Sequence, residues 1–160
     1  RLEEVLAHLC QAYERPQRGM ERAMSLASVA RFQFGEGGDA LIEGCTVSGN
    51  YPYSKIFHAK DQMGMLTQER GMISLTMEGA SRLMPKRINW VEMEDFDLTG
   101  NLFAVGVRGA DSRIREGDEA LIVRNGELVA VGIAAMNARE MTDLKRGEAV
   151  RVRHKKRIVK

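Results

Sequence analysis

"SRIREGDEALIVRNGELVAVGIA", residues 112 to 134, reads as two β-strands with almost no slack between them. "GDEALIV" is a short apolar run of the kind that fills a buried strand. "ELVAVGIA" is a second such run, ending on Ala-x-Gly spacing that suits close backbone packing. Between them stands Asn125-Gly126, one of the strongest hairpin signals, because both residues tolerate positive φ. The stretch holds no histidine and no cysteine. It offers architecture rather than chemistry.

Moving outward, the same texture continues. "RINWVEM", "NLFAVGV" and "EAVRVRH" each have the length and composition of a strand, and "EDFDLTG" reads as a short helix or turn. Several short strands at this spacing predict a small barrel or sandwich beyond Pro85. Upstream the pattern is mixed. Leu2, Val5, Leu6, Leu9, Cys10 and Tyr13 follow the spacing of an amphipathic helix that Pro16 and Gly19 would close. A second helix is predicted with Met20, Ala23, Met24, Ala27 and Ala30 on one side. "GMLTQERGMISLT" reads as two strands across a turn, and "MEGASRLMP" as a short helix that Pro85 would stop. The expected fold class is therefore α+β, with residues 1–84 as a helical segment plus a small α+β unit and residues 85–160 as a β-rich unit.

Composition narrows the function. The chain has 160 residues, 44% hydrophobic and 29% charged, as in ordinary globular domains. No run of about 18 apolar residues exists, so no transmembrane helix is predicted. Nothing near Arg1 resembles a secretory signal, and a cytoplasmic location is expected. The two cysteines, Cys10 and Cys45, have no metal-ligand spacing and read as buried thiols in a reducing compartment. Net charge is +2, but residues 145–160 carry eight Lys or Arg against the single acid Glu148. That segment holds +7 and the remainder −5, which points to a polyanionic partner or to a solvated tail.

No catalytic constellation emerges. "GEGG" at residues 35–38 lacks the Gly-Lys-Ser/Thr ending of a phosphate loop and is followed by Asp39, so it reads as a turn. His8, His58 and His154 have no ligand-spaced partners, and no metal or cofactor is expected. Ser54, Lys55 and His58 are close in sequence, but no acid or oxyanion hole can be assigned to them. The ten methionines read as core filling, as do Trp90 and Phe103 within their strands. The last strand differs. "AVRVRHKKR" alternates Val150 and Val152 inward with Arg151 and Arg153 outward, by the two-residue period of a strand. Lys155, Lys156 and Arg157 extend this ribbon of cations, which predicts a nucleic-acid contact.

The blocks "NLFAVGV", "IREGDEALIV", "GELVAVGIA", "REM" and "GEAVRVR", in this order and spacing, resemble the PUA domain, over roughly residues 86–157. That resemblance implies a small β pseudo-barrel that binds structured RNA, with the opening hairpin as its scaffold. "ARFQFGEGGDALIEG" and "GMLTQERGMISLTMEGASRLMP" extend the likeness to the C-terminal domains of archaeal tRNA-guanine transglycosylase, in which a small α+β domain precedes the PUA domain. Archaeosine synthase is similar there. The resemblance implies tRNA binding in the archaeosine pathway, with Val107, Arg108, Arg151 and Arg153 in the matching strands. It implies no catalytic residue in this chain, whose length cannot hold a catalytic barrel. Two roles stay open: a non-catalytic RNA-binding protein, or the tRNA-binding subunit of a split transglycosylase acting with a catalytic partner. A protein-interaction module built on the methionine-rich first half is a third reading.

Overall fold

The computed structural model describes residues 3–5, 18–50 and 52–156. Most of the first amphipathic stretch, with His8 and Cys10, lies outside the described residues, as does Arg157. Val5 lies within them and is exposed.

Helix α1, Arg18–Phe34, buries Leu26, Ala30 and Phe34, with Ala23, Ala27 and Val29 partly covered. The expected face is thus rotated. Met20 and Met24 are 58% and 59% exposed, because the bulkier Leu26 and Phe34 set the seam and leave the methionines beyond its edge. A 3-10 turn, Gly38–Leu41, folds the chain back against α1. Its glycines bear out the turn reading of "GEGG": Gly35 and Gly37 adopt positive φ.

Strands β1 (Thr46–Ser48), β2 (Lys55–His58), β3 (Asp61–Leu66) and β4 (Ile73–Leu75) then form an antiparallel sheet in sequential order. Helix α2, Met77–Leu83, begins where the Thr76 hydroxyl accepts the Gly79 N–H, a side-chain cap. The 3-10 turn Met84–Lys86 carries Pro85 and passes the chain to the second sheet.

That sheet contains β5 (Trp90–Met93), β6 (Leu102–Phe103), β7 (Val107–Ala110), β8 (Glu119–Arg124), β9 (Glu127–Ala134) and β10 (Glu148–Lys155). Its order is β6-β10-β9-β8-β5-β7, antiparallel except for the β5–β8 pair, and it curls into a nearly closed barrel. Helix α3, Ala138–Asp143, opens on a capping box between Asn137 and Glu140. "EDFDLTG" forms turns and no helix. The α+β architecture anticipated from the sequence is the one observed.

The quoted hairpin organises both cores. Asn125 and Gly126 hold φ of 51° and 80°, the left-handed pair that lets β8 turn directly into β9. Along β8, Ala120 and Ile122 face the barrel interior, while Leu121 faces the core under the first sheet. On β9, Ala130 and Val131 divide in the same way. A strand buried on both faces cannot alternate polar and apolar residues, which explains the unbroken apolar run. Where β9 meets β10, Gly132 is required by close approach: a Cβ there would stand 2.1 Å from the Arg151 carbonyl oxygen. Phe103, expected in the core, is 54% exposed, since on the two-residue strand β6 the neighbouring Leu102 takes the inward position.

Candidate nucleic-acid interface

Strand β10 carries the cations singled out in the sequence. Val150 is buried and Val152 packs against the barrel core, so alternation places Arg151 and Arg153 on the opposite face. That face is only partly solvent. Arg151 has a side chain 69% exposed and an ion pair to Glu148 at 2.9 Å. Arg153 is mostly covered, its side chain only 26% exposed, and here the expectation that it faces solvent is corrected. It lies under the first sheet, with Nη2 donating to the Leu75 carbonyl at 2.8 Å and both Nη atoms donating to Glu119, at 2.9 and 2.5 Å. Glu119 is 1% exposed and also accepts the Leu75 N–H at 3.1 Å. A register shift between Val152 and His154 sits at this point of β10, a place where a bulge re-aims side chains.

Beyond the shift, His154, Lys155 and Lys156 line a cleft of about 810 Å³ between β9–β10 and α2. Met77, Met84 and Leu128 give it an apolar wall, and Glu78 and Glu127 stand on its lining. Lys155 donates to the carbonyls of Thr99 and Leu98, and Lys156 pairs with Glu127 at 3.3 Å. The His154 side chain makes no hydrogen bond or ion pair among the described residues. The structure therefore brings Lys155 and Lys156 together at the C-terminal end of β10 and leaves Arg151 apart, midway along the strand.

The two remaining residues lie elsewhere. Val107 is 1% exposed and contributes its carbonyl to Lys145. Arg108 is exposed but pairs with Glu94 at 2.8 Å, and Glu92 and Asp95 add to the negative field around it. The Arg108 hydrogen bond holds the Glu94 carboxyl below the usual carboxylate range. Neither residue joins the β10 cations.

A second group of cations escaped the sequence reading. Arg113 and Arg115 flank Ile114, which is 2% exposed, so both side chains emerge at the surface. Arg113 grips Asp111 through Nε and Nη2, at 3.0 and 2.8 Å, and its Nη2 also reaches the Arg87 carbonyl. Burial pushes the Asp111 carboxyl up, but hydrogen bonds from Arg113 and from the N–H groups of Arg113 and Asn89 outweigh it and hold it low. Arg87 lies over the Trp90 ring, 5.0 Å from its centroid. The available signal was the Arg-Ile-Arg alternation inside the hairpin stretch itself, read there as scaffold.

Ser54 is buried, and Lys55 and His58 are exposed with no side-chain hydrogen bond or ion pair to an acid among the described residues. No group of three metal-ligating side chains occurs among the described residues. Cys45 is a half-buried free thiol; burial pushes its pKa up, against the opposing pull of Arg82. No described helix is long and apolar enough to cross a membrane.

The barrel sheet and its cation-bearing last strand define the class. Residues 92–156 match the PUA domain, and the chain is a PUA-domain protein. It is homologous to the C-terminal regions of archaeal archaeosine synthase and tRNA-guanine transglycosylase. It is 36% identical over 126 residues to archaeosine synthase subunit alpha of Thermoplasma acidophilum, covering 79% of this chain and 25% of that one. To tRNA-guanine(15) transglycosylase of Thermococcus kodakarensis it is 37% identical over 155 residues, covering 88% and 26%. The chain thus spans about a quarter of the length of the curated relatives it matches. Among solved structures, a protein of unknown function aligns with a TM-score of 0.72 at 28% identity, over 93% of this chain and 52% of that one. A conserved PUA domain protein from Thermoplasma acidophilum shares the fold, with a TM-score of 0.61 at 22% identity over 85% and 89% of the two chains.

Proposed function

We propose that this chain binds structured RNA, tRNA foremost, as a non-catalytic element of tRNA modification in the archaeosine pathway. The observation that carries the reading is the PUA domain at residues 92–156 within a homology that continues upstream into the first unit. Exposed Arg151, Lys155 and Lys156, with Arg157 following, meet phosphate oxygens along one strand. Arg108 acts on a separate face, with buried Val107 anchoring its strand, and the loop after "NLFAVGV" fits backbone shape. A-form RNA hides its base edges in a deep groove, so this recognition reads shape and charge more than sequence. The protein works in the cytoplasm and needs no cofactor.

Titrating labelled tRNA with the purified chain at several salt concentrations tests this. Saturable binding whose affinity falls steeply with salt is expected, and absence of binding at low salt overturns it. A second reading is favoured by the quarter-length coverage of the relatives: the chain acts as the tRNA-binding part beside a catalytic transglycosylase. Co-purification of base-exchange activity with a larger chain would support that reading.

A further inference from the structure

The surface around Arg113 and Arg115 has features that the β10 face lacks. Arg70, Lys86, Arg87 and Arg115 form no ion pair among the described residues. On β10, by contrast, Arg151, Arg153 and Lys156 each have a carboxylate partner. A Cβ at Gly117 would stand 3.5 Å from Nη2 of Arg70, and one at Gly35 would stand 3.8 Å from Nη1 of Arg113, so both guanidinium groups pass close to these turns.

Arg113 and Arg115 line a groove of about 370 Å³ at the seam between the two cores; Arg87 adjoins it through the hydrogen bond its carbonyl accepts from Arg113, and Arg70 through its approach to Gly117. Phe34, Met72 and Asn89 lie along it, and Phe32 stands at its rim with 82% of its surface exposed. Phe32 is the most exposed of the large apolar side chains described. Asp118 is the carboxylate on the lining, and it is engaged by the Arg115 N–H at 2.8 Å. Asp111 is consumed by Arg113. An exposed aromatic ring beside Arg115, whose side chain has no carboxylate partner among the described residues, matches an unstacked base next to its phosphate, whereas a duplex offers no free base face.

We propose that this seam is a second RNA-contact surface, on which Arg70, Arg87 and Arg115 hold the phosphates of a single-stranded or looped segment while Phe32 stacks on one of its bases. It rests on the RNA-binding reading above and extends it to a face drawn from both units. The ligand is the looped part of a folded RNA, and the β10 cations take its helical part.

The test uses the full chain, a tRNA transcript and a short unstructured oligoribonucleotide. Arg70→Gln with Arg115→Gln should lower the logarithmic salt slope for tRNA by roughly two. Phe32→Ala should weaken the oligoribonucleotide about tenfold while changing a blunt RNA duplex little. All three side chains are exposed, so thermal unfolding should stay as in the wild type. As a measurement independent of the variants, tRNA carrying 4-thiouridine in its loops should crosslink the wild-type chain at residues 32–35 or 111–118. If wild type binds tRNA but the variants keep full affinity and slope, or crosslinks fall only on residues 148–156, the seam surface is wrong and RNA binding stands. If the variants instead lose a protein partner with RNA binding intact, the seam is a protein interface and the proposal fails. If wild type binds neither RNA, the underlying reading fails with it.

Discussion

Arg153 and Glu119 form a bidentate pair, 2.5 Å at its closest, and both also hydrogen-bond the backbone of Leu75. One strand of the first sheet is thereby tied to β8 and β10 of the barrel. Removing one partner from a buried pair leaves the other charge uncompensated, at a cost of about 3–5 kcal/mol. Glu119→Gln and Arg153→Met are each expected to lower unfolding free energy on that scale in denaturant titrations. Where Arg153→Met remains folded, its tRNA affinity should change less than about twofold; a large selective loss of binding would return Arg153 to the RNA surface.

The β10 surface makes the opposite forecast. Arg151 and Lys156 are exposed, and their ion pairs are of the surface kind, worth about 0–1 kcal/mol. Arg151→Ala with Lys156→Ala should leave stability almost unchanged and reduce the salt slope for tRNA by about two. Equal slopes for variant and wild type would remove this strand from the contact.

Asp111 links stability to pH. Its carboxyl is held below its ordinary value in the folded chain, so the stability it contributes is present above the unfolded pKa of about 4 and is lost as pH falls toward the depressed folded value. Wild type should therefore lose stability on acidification below about pH 4, and Asp111→Asn should lose less across the same window while starting lower. Urea titrations at a series of pH values measure the difference. A parallel loss in both proteins would show that other carboxylates set the acid response.

Two glycines separate conformational from steric cost. A Cβ at Gly126 meets nothing within 4 Å, so Gly126→Ala is penalised only by its positive φ, at about 1–2 kcal/mol. A Cβ at Gly132 would collide with the Arg151 carbonyl, so Gly132→Ala should cost more and loosen the β9–β10 pairing. Hydrogen exchange of β10 amides distinguishes the two, with faster exchange confined to the Gly132 variant.

We propose residues 85–160 as a unit, and its independence can be measured. Cutting at Pro85 would bare Leu121 and Val131, which lie in the core under the first sheet, and would strand Glu119 with Arg153 at a new surface. The fragment is expected to unfold cooperatively but at lower denaturant than the full chain. A fragment without a cooperative transition would mean that barrel and first sheet fold as one.

What the sequence alone determined follows from short-range rules. Asn125-Gly126 specifies its hairpin because only such residues adopt two successive left-handed conformations cheaply. Val150 and Val152 mark the inner face of β10 because strand side chains alternate. Whether the other face meets water is not a local property. Arg151 and Arg153 each follow a valine and fall on the same side of the strand by alternation, yet one is exposed and the other lies against Leu75. The position of β4 decides between them. The same holds for Arg115 and Phe32, distant in sequence and brought to one groove only when α1 packs beside the loop before β8. Local pattern sets which way a side chain points, and only the packing of one sheet on the other sets what it meets there.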